Sequence, residues 1–138
     1  MTVAGMQPAA AHNVRRSQHL ELSAVAGQPL RSGSVEGAEH GPNDYACERY
    51  VLNGAAADAA YEVRVLVHLF DATCSNWPVL FAATRLGTNG AGDGSAQLLV
   101  RREDVPAAVR NATHGVHWEV WRDGTLAYRT ACTSVTLD

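Results

Sequence analysis

Residues 61–74 read YEVRVLVHLFDATC, and the first ten of them decide the fold. Tyr61, Val63, Val65, Val67 and Leu69 fall on one face and Glu62, Arg64, Leu66, His68 and Phe70 on the other. That period of two belongs to a β-strand with one face in a core. Asp71 and Cys74 follow at once, so a strand bearing a histidine runs into a loop bearing a carboxylate and a thiol. This is either the rim of a metal site or a core strand followed by a structural staple.

The same pattern recurs on both sides. Upstream, HLELSAVAG (19–27) alternates with Leu20, Leu22 and Ala24 on one side, and YACERYVLNG (45–54) is a second strand closed by an Asn53-Gly54 turn. Between them, GQPLRSGSVEGAEHGPND (27–44) is rich in Gly, Pro and Ser and reads as loop, with at most a short edge strand around Arg31 to Glu36. Downstream, PVLFAATRLGT, the turn NGAGDG and SAQLLVRR make a hairpin-like unit. A single helical turn is expected near 103–110, where Pro106 precedes Ala107, Ala108 and Val109. HGVHWEVW, the turn RDG and TLAYRTACTSVTLD close the chain as an antiparallel pair, with Cys132 placed in the last strand. About seven or eight short strands with Gly-rich turns predict an all-β, antiparallel Greek-key sandwich or flattened barrel.

The chain has 138 residues, which fits one domain. Residues 1–18 are expected to be a disordered tail and 19–138 the sandwich. The segment PAAAH, with Ala9 and Ala11 before His12, has the form of a signal-peptide cleavage site, although no apolar leader precedes it. A remnant of an export signal and a plain Ala-rich tail both fit. The formal net charge is −3 and every positive side chain is arginine, a bias that looks like a GC-rich, bacterial coding source. The arginines are scattered, which excludes a nucleic-acid footprint, and no apolar run is long enough for a membrane-spanning helix.

No nucleophile elbow, P-loop, HExxH or strand-borne GxGxxG occurs. GTNGAGDG joins two strands and opens no helix, so phosphate has no helix N-terminus to meet. Asp44 and Asp93 lack the spacing of a calcium loop, and Asn111-Ala112-Thr113 matches a glycosylation sequon. Among the histidines, His68, His114, His117 and His40 are the candidate metal ligands, but none forms the HxH pair that places two imidazoles on one face of a strand. His68, Asp71 and Cys74 could assemble a nucleophilic site only from one short stretch. Trp77, Trp118 and Trp121 are candidates for a pocket that binds an apolar ligand. The cysteines, Cys47, Cys74 and Cys132, show no zinc-finger spacing and, being odd in number, allow one bridge and one free thiol.

Four stretches in order resemble the copper/zinc superoxide dismutase family: LVHLFDATC, NGAGDGSAQLLV, HGVHWEVWRDG and YRTACTSVTL. They span about residue 60 to the end. The resemblance implies a β-sandwich, a Cys74–Cys132 disulfide, and a channel-like arginine at Arg129. A bridge between those positions, one after a strand end and one near the C-terminus, would add about 4 kcal/mol on the chain-entropy model. It also implies an extracytoplasmic home. The implied metal ligands are largely missing: His68 matches the second histidine of an HxH run, Leu66 stands at the first, Leu69 replaces a glutamate, and Trp121 falls at a copper-ligand position. The expectation is therefore a secreted, non-enzymatic binding or structural module without cofactor, its partner an extracellular protein or surface ligand, with homodimerisation open. The alternative is a copper or zinc protein that uses His68 with other histidines and retains weak redox activity.

Overall fold

In the computed structural model, residues 14–40 and 44–137 are described. They form ten strands: β1 (Val14–Glu21), β2 (Ser23–Ala24), β3 (Ser32–His40), β4 (Asp44–Asn53), β5 (Ala60–His68), β6 (Val79–Gly87), β7 (Gly94–Arg101), β8 (Ala112–Arg122), β9 (Thr125–Arg129) and β10 (Thr133–Leu137). Every pairing is antiparallel. One sheet has the order β1-β3-β4-β7 and the other β2-β9-β8-β5-β6, with β10 extending β9 along the same side of β8. The strands β5, β6 and β7 follow one another and β8 returns beside β5, which is the Greek-key path. The chain is an all-β sandwich, and the only helical features among the described residues are two 3-10 turns at Arg102–Asp104 and Ala107–Val109.

β1 and β2 are nearly one strand that leaves the first sheet at Leu22 and joins the second, so a single segment ties both layers at one edge. The alternation read from residues 61–70 holds where it is needed. Tyr61, Val63 and Val65 pack inward against Tyr50 and Leu52 of β4 and Trp118 and Val120 of β8. The hydroxyls of Tyr61 and Tyr128 bond to each other at 3.1 Å, and Tyr128 donates to the carbonyl of Pro29, so the buried polar atoms of these rings are paired.

Three sequence expectations need correction. The segment 27–44 contains a nine-residue strand, β3, which lies inside its sheet between β1 and β4 and not at an edge. Ser32, Gly33, Ser34 and Gly37 have poor strand propensity, but pairing on both sides supplies what propensity does not. The first strand begins at Val14, inside the span assigned to a disordered tail; residues 1–13, with the PAAAH segment, lie outside the described residues. Finally, Cys132 sits in the break between β9 and β10, where the chain shifts from one half of β8 to the other.

Gly92 turns the β6–β7 connection with φ +81°, and a Cβ there would stand 2.0 Å from the carbonyl oxygen of Ala55. Gly92→Ala should therefore destabilise the fold by more than about 1 kcal/mol. Urea unfolding followed by tryptophan fluorescence measures this directly.

Candidate functional site

The loop after β5 folds back on the outer face of the second sheet. Asp71 organises it: its carboxylate accepts from the backbone N–H and hydroxyl of Thr73 at 3.0 and 2.6 Å, and from the N–H groups of Ser75 and Asn76 at 3.0 and 2.8 Å. Those bonds, the Thr73 hydroxyl foremost, hold its pKa below the usual carboxylate range. Phe70 and Cys74 adopt left-handed backbone (φ +56° and +57°), which tightens the turn. The loop can lie this close because β8 presents Gly115 opposite His68; a Cβ at Gly115 would meet Asp71 O at 2.4 Å and Cys74 Sγ at 2.7 Å.

This packing creates a chain of hydrogen bonds through two histidines. His68 Nδ1 lies 2.8 Å from Asn76 O, His68 Nε2 lies 2.9 Å from His117 Nδ1, and His117 Nε2 lies 2.8 Å from Glu119 Oε2. A carbonyl and a carboxylate only accept, so His68 Nδ1 and His117 Nε2 each carry a hydrogen, and one further proton lies between His68 Nε2 and His117 Nδ1. His68 is 4% exposed although it is on the outer face, because the loop covers it. Cys74 completes a cluster: one donor atom from each of His68, Cys74 and His117 lies within 4.8 Å of the other two.

Cys74 is bonded to Cys132, closing a span of 58 residues with Cα atoms 6.1 Å apart. The staple is present, and Cys47 is the free thiol, half-buried rather than fully buried, on β4. A His68–Asp71–Cys74 nucleophilic site is ruled out in this state. The sulfur is tied in the disulfide, and the Asp71 carboxylate bonds within its own loop.

The other candidates separate. His114 faces inward, accepts from Phe70 N–H at Nδ1 (2.8 Å) and donates from Nε2 to Val109 O (2.7 Å), so both nitrogens are committed to backbone and it is no metal ligand. The side chain of His40 lies outside the described residues. Arg129 is exposed on β9, opposite Ser23 and Glu119. The three tryptophans do not converge: Trp77 is 92% exposed, Trp118 is in the core, and Trp121 lies under the Arg64 guanidinium, 4.5 Å from its ring centre. A copper or zinc site at the positions implied by the resemblance does not fit, since Leu66, Leu69 and Trp121 offer no donor atom for one.

A second feature lies between the sheets. Ala46, Val65, Val100, Val116 and Trp118 line a cavity of about 440 Å³, together with Val105, Val109, His114 and the exposed Val79 and Leu80. Glu48 reaches it from β4, only 8% exposed. Its Oε1 accepts from the Tyr50 hydroxyl and, at 2.9 Å, from Trp118 Nε1, while its Oε2 has no partner among the described residues. Burial pushes its acidity towards the neutral form, against the opposing effect of the Tyr50 and Trp118 bonds. Glu48 was not singled out in the sequence, although the signal existed: it shares the inward register of Ala46, Tyr50 and Leu52.

Comparison with known families and curated proteins finds no family model and no curated protein that matches this chain.

Cys132→Ala should lower stability by about 4 kcal/mol, read as a fall in melting temperature that is absent when both proteins are reduced. For Glu48, the folded state retains the carboxyl proton to higher pH than the unfolded chain does. Its contribution to stability should thus be greatest below 4.5, the ordinary carboxyl value, and fall as pH rises towards the folded value. Glu48→Gln should flatten that part of the stability profile in denaturant titrations.

Proposed function

We propose that the chain is an extracytoplasmic, non-enzymatic binding module, similar in fold to copper/zinc superoxide dismutase but without its ligand set, which takes a small apolar ligand between its sheets. The cavity carries this reading. Its volume equals that of roughly fifteen waters, enough for a ligand of about that many non-hydrogen atoms. It is within the range of small-molecule sites and has the usual character of one, apolar walls with a few placed polar groups. Glu48 supplies the polar group: a carboxyl held neutral by burial donates from Oε2 to an oxygen on the ligand, while Tyr50 and Trp118 fix Oε1. The exposed, apolar Val79 and Leu80 among its lining residues offer a route in.

The disulfide favours a compartment where such bonds persist, and no described helix is long and apolar enough to cross a membrane. The missing family ligands argue against dismutation by the family's route, since one inherited histidine cannot hold a cycling copper ion.

N-phenyl-1-naphthylamine, a neutral fluorophore of three aromatic rings, should bind with about micromolar affinity and brighten as it leaves water. Ala46→Phe, which fills the cavity from β4, should weaken it by roughly tenfold or more. Absence of binding, or binding indifferent to Ala46→Phe in a folded variant, would overturn the reading.

A further inference from the structure

The outer-face cluster is separate from the cavity and carries its own chemistry. Each of its two histidines has one nitrogen anchored and one turned inward. His68 Nδ1 is held by the Asn76 carbonyl and His117 Nε2 by the Glu119 carboxylate, and the inward nitrogens stand 2.9 Å apart, with Cys74 Sγ within 4.8 Å of a ring nitrogen of each histidine. Carbonyl and carboxylate partners on the outer nitrogens are the arrangement that orients imidazoles for a metal ion. What blocks a third ligand is the bond from Cys74 to Cys132. A disulfide sulfur is a poor donor, whereas a thiolate is a strong one.

We infer that His68, His117 and Cys74 form a redox-gated site for a zinc-class divalent ion, closed while the disulfide stands and opened by its reduction. In a tetrahedral site with bonds of about 2.05 Å to nitrogen and about 2.3 Å to sulfur, donor atoms stand about 3.3 Å (N to N) and about 3.6 Å (N to S) apart. The histidine nitrogens need to part by a few tenths of an ångström. The sulfur, within 4.8 Å of a ring nitrogen of each histidine, closes the remaining distance by side-chain rotation once the cysteine is freed. Cys132 is exposed, so a reductant reaches the bridge from solvent.

The chemistry balances. A dithiol donor gives two electrons and two protons to the Cys74–Cys132 bond and is itself oxidised to a disulfide, leaving two thiols. Metal entry then releases the Cys74 thiol proton and the proton held between His68 Nε2 and His117 Nδ1, and the ion takes Cys74 Sγ, His117 Nδ1 and His68 Nε2 as ligands. A fourth position stays open to water. Asn76 and Glu119 keep their bonds throughout, so ligand orientation is set before the ion arrives.

The test uses Co(II) as a spectroscopic probe in a Cys47→Ser background, which removes the unrelated thiol. The oxidised protein should show no thiolate-to-cobalt charge-transfer band. The phosphine-reduced protein, and Cys132→Ser without reductant, should each bind one equivalent with that band. Cys74→Ser should lack the band even with Cys132 free. Glu119→Gln should weaken binding by roughly 10- to 100-fold while leaving the band in place. Circular dichroism is recorded on every sample; a chain that unfolds on reduction should regain its sheet spectrum when one equivalent of Co(II) is added. Folded, reduced protein that binds no cobalt, a band that survives Cys74→Ser, or an unfolded reduced chain that cobalt does not rescue would each overturn the inference.

Discussion

The missing side chain at Gly115 is the constraint on which the outer face depends. In an antiparallel sheet the residue opposite His68 would normally fill the space above β8, and here that space holds the backbone of Asp71 and the sulfur of Cys74. With the loop seated, three results follow together: Asn76 O reaches His68, Cys74 reaches Cys132, and His68 is covered although it points away from the core. Asp71 makes the seating rigid by satisfying the backbone N–H groups of Thr73, Ser75 and Asn76, which a tight turn would otherwise leave to water.

β8 serves two environments because its residues alternate. Its inward positions, His114, Val116, Trp118 and Val120, border the core or the cavity; its outward positions, His117, Glu119 and Trp121, form a polar row that pairs with Glu62, Arg64 and Leu66 of β5. Charge is therefore kept outside, with Glu48 the exception among the described residues. A carboxyl so deep is tolerable because two donors meet one oxygen and burial favours its neutral form. The same burial, with the Glu48 carboxyl beside it, pushes the pKa of Tyr50 up, so neither member of that pair ionises easily.

The sandwich was legible where apolar alternation is strong, as in residues 61–70, and illegible where small residues form a strand only because neighbours pair with them, as in β3. Parity in the sequence also carries more than periodicity alone. His114 and His117 are three apart on one strand and so must face opposite ways, which already divides the histidines into an inner and an outer group. Which outer histidine meets His68 depends on the register between β5 and β8, where Leu66 faces His117, and on the loop that covers them. Neither is written in local sequence. The bridge partners came from a family likeness, since three thiols alone allow three pairings. Glu48 was hidden by the habit of reading a charged residue in a strand as solvent-facing.

The position of the free thiol bears on how the chain reaches this state. Cys47 belongs to β4 and alternates away from the core of the first sheet, whereas Cys74 lies on the far side of the second. As a chain emerges from its N-terminus, these two thiols are available together before Cys132 appears. An early bond between them is the most accessible error, closing a shorter span than the 58 residues of the native bridge. The finished sandwich cannot hold that bond: the two sulfurs are separated by both layers, which stack about 10 Å apart. The packed sandwich is therefore compatible with a Cys74–Cys132 bond and not with a Cys47–Cys74 one.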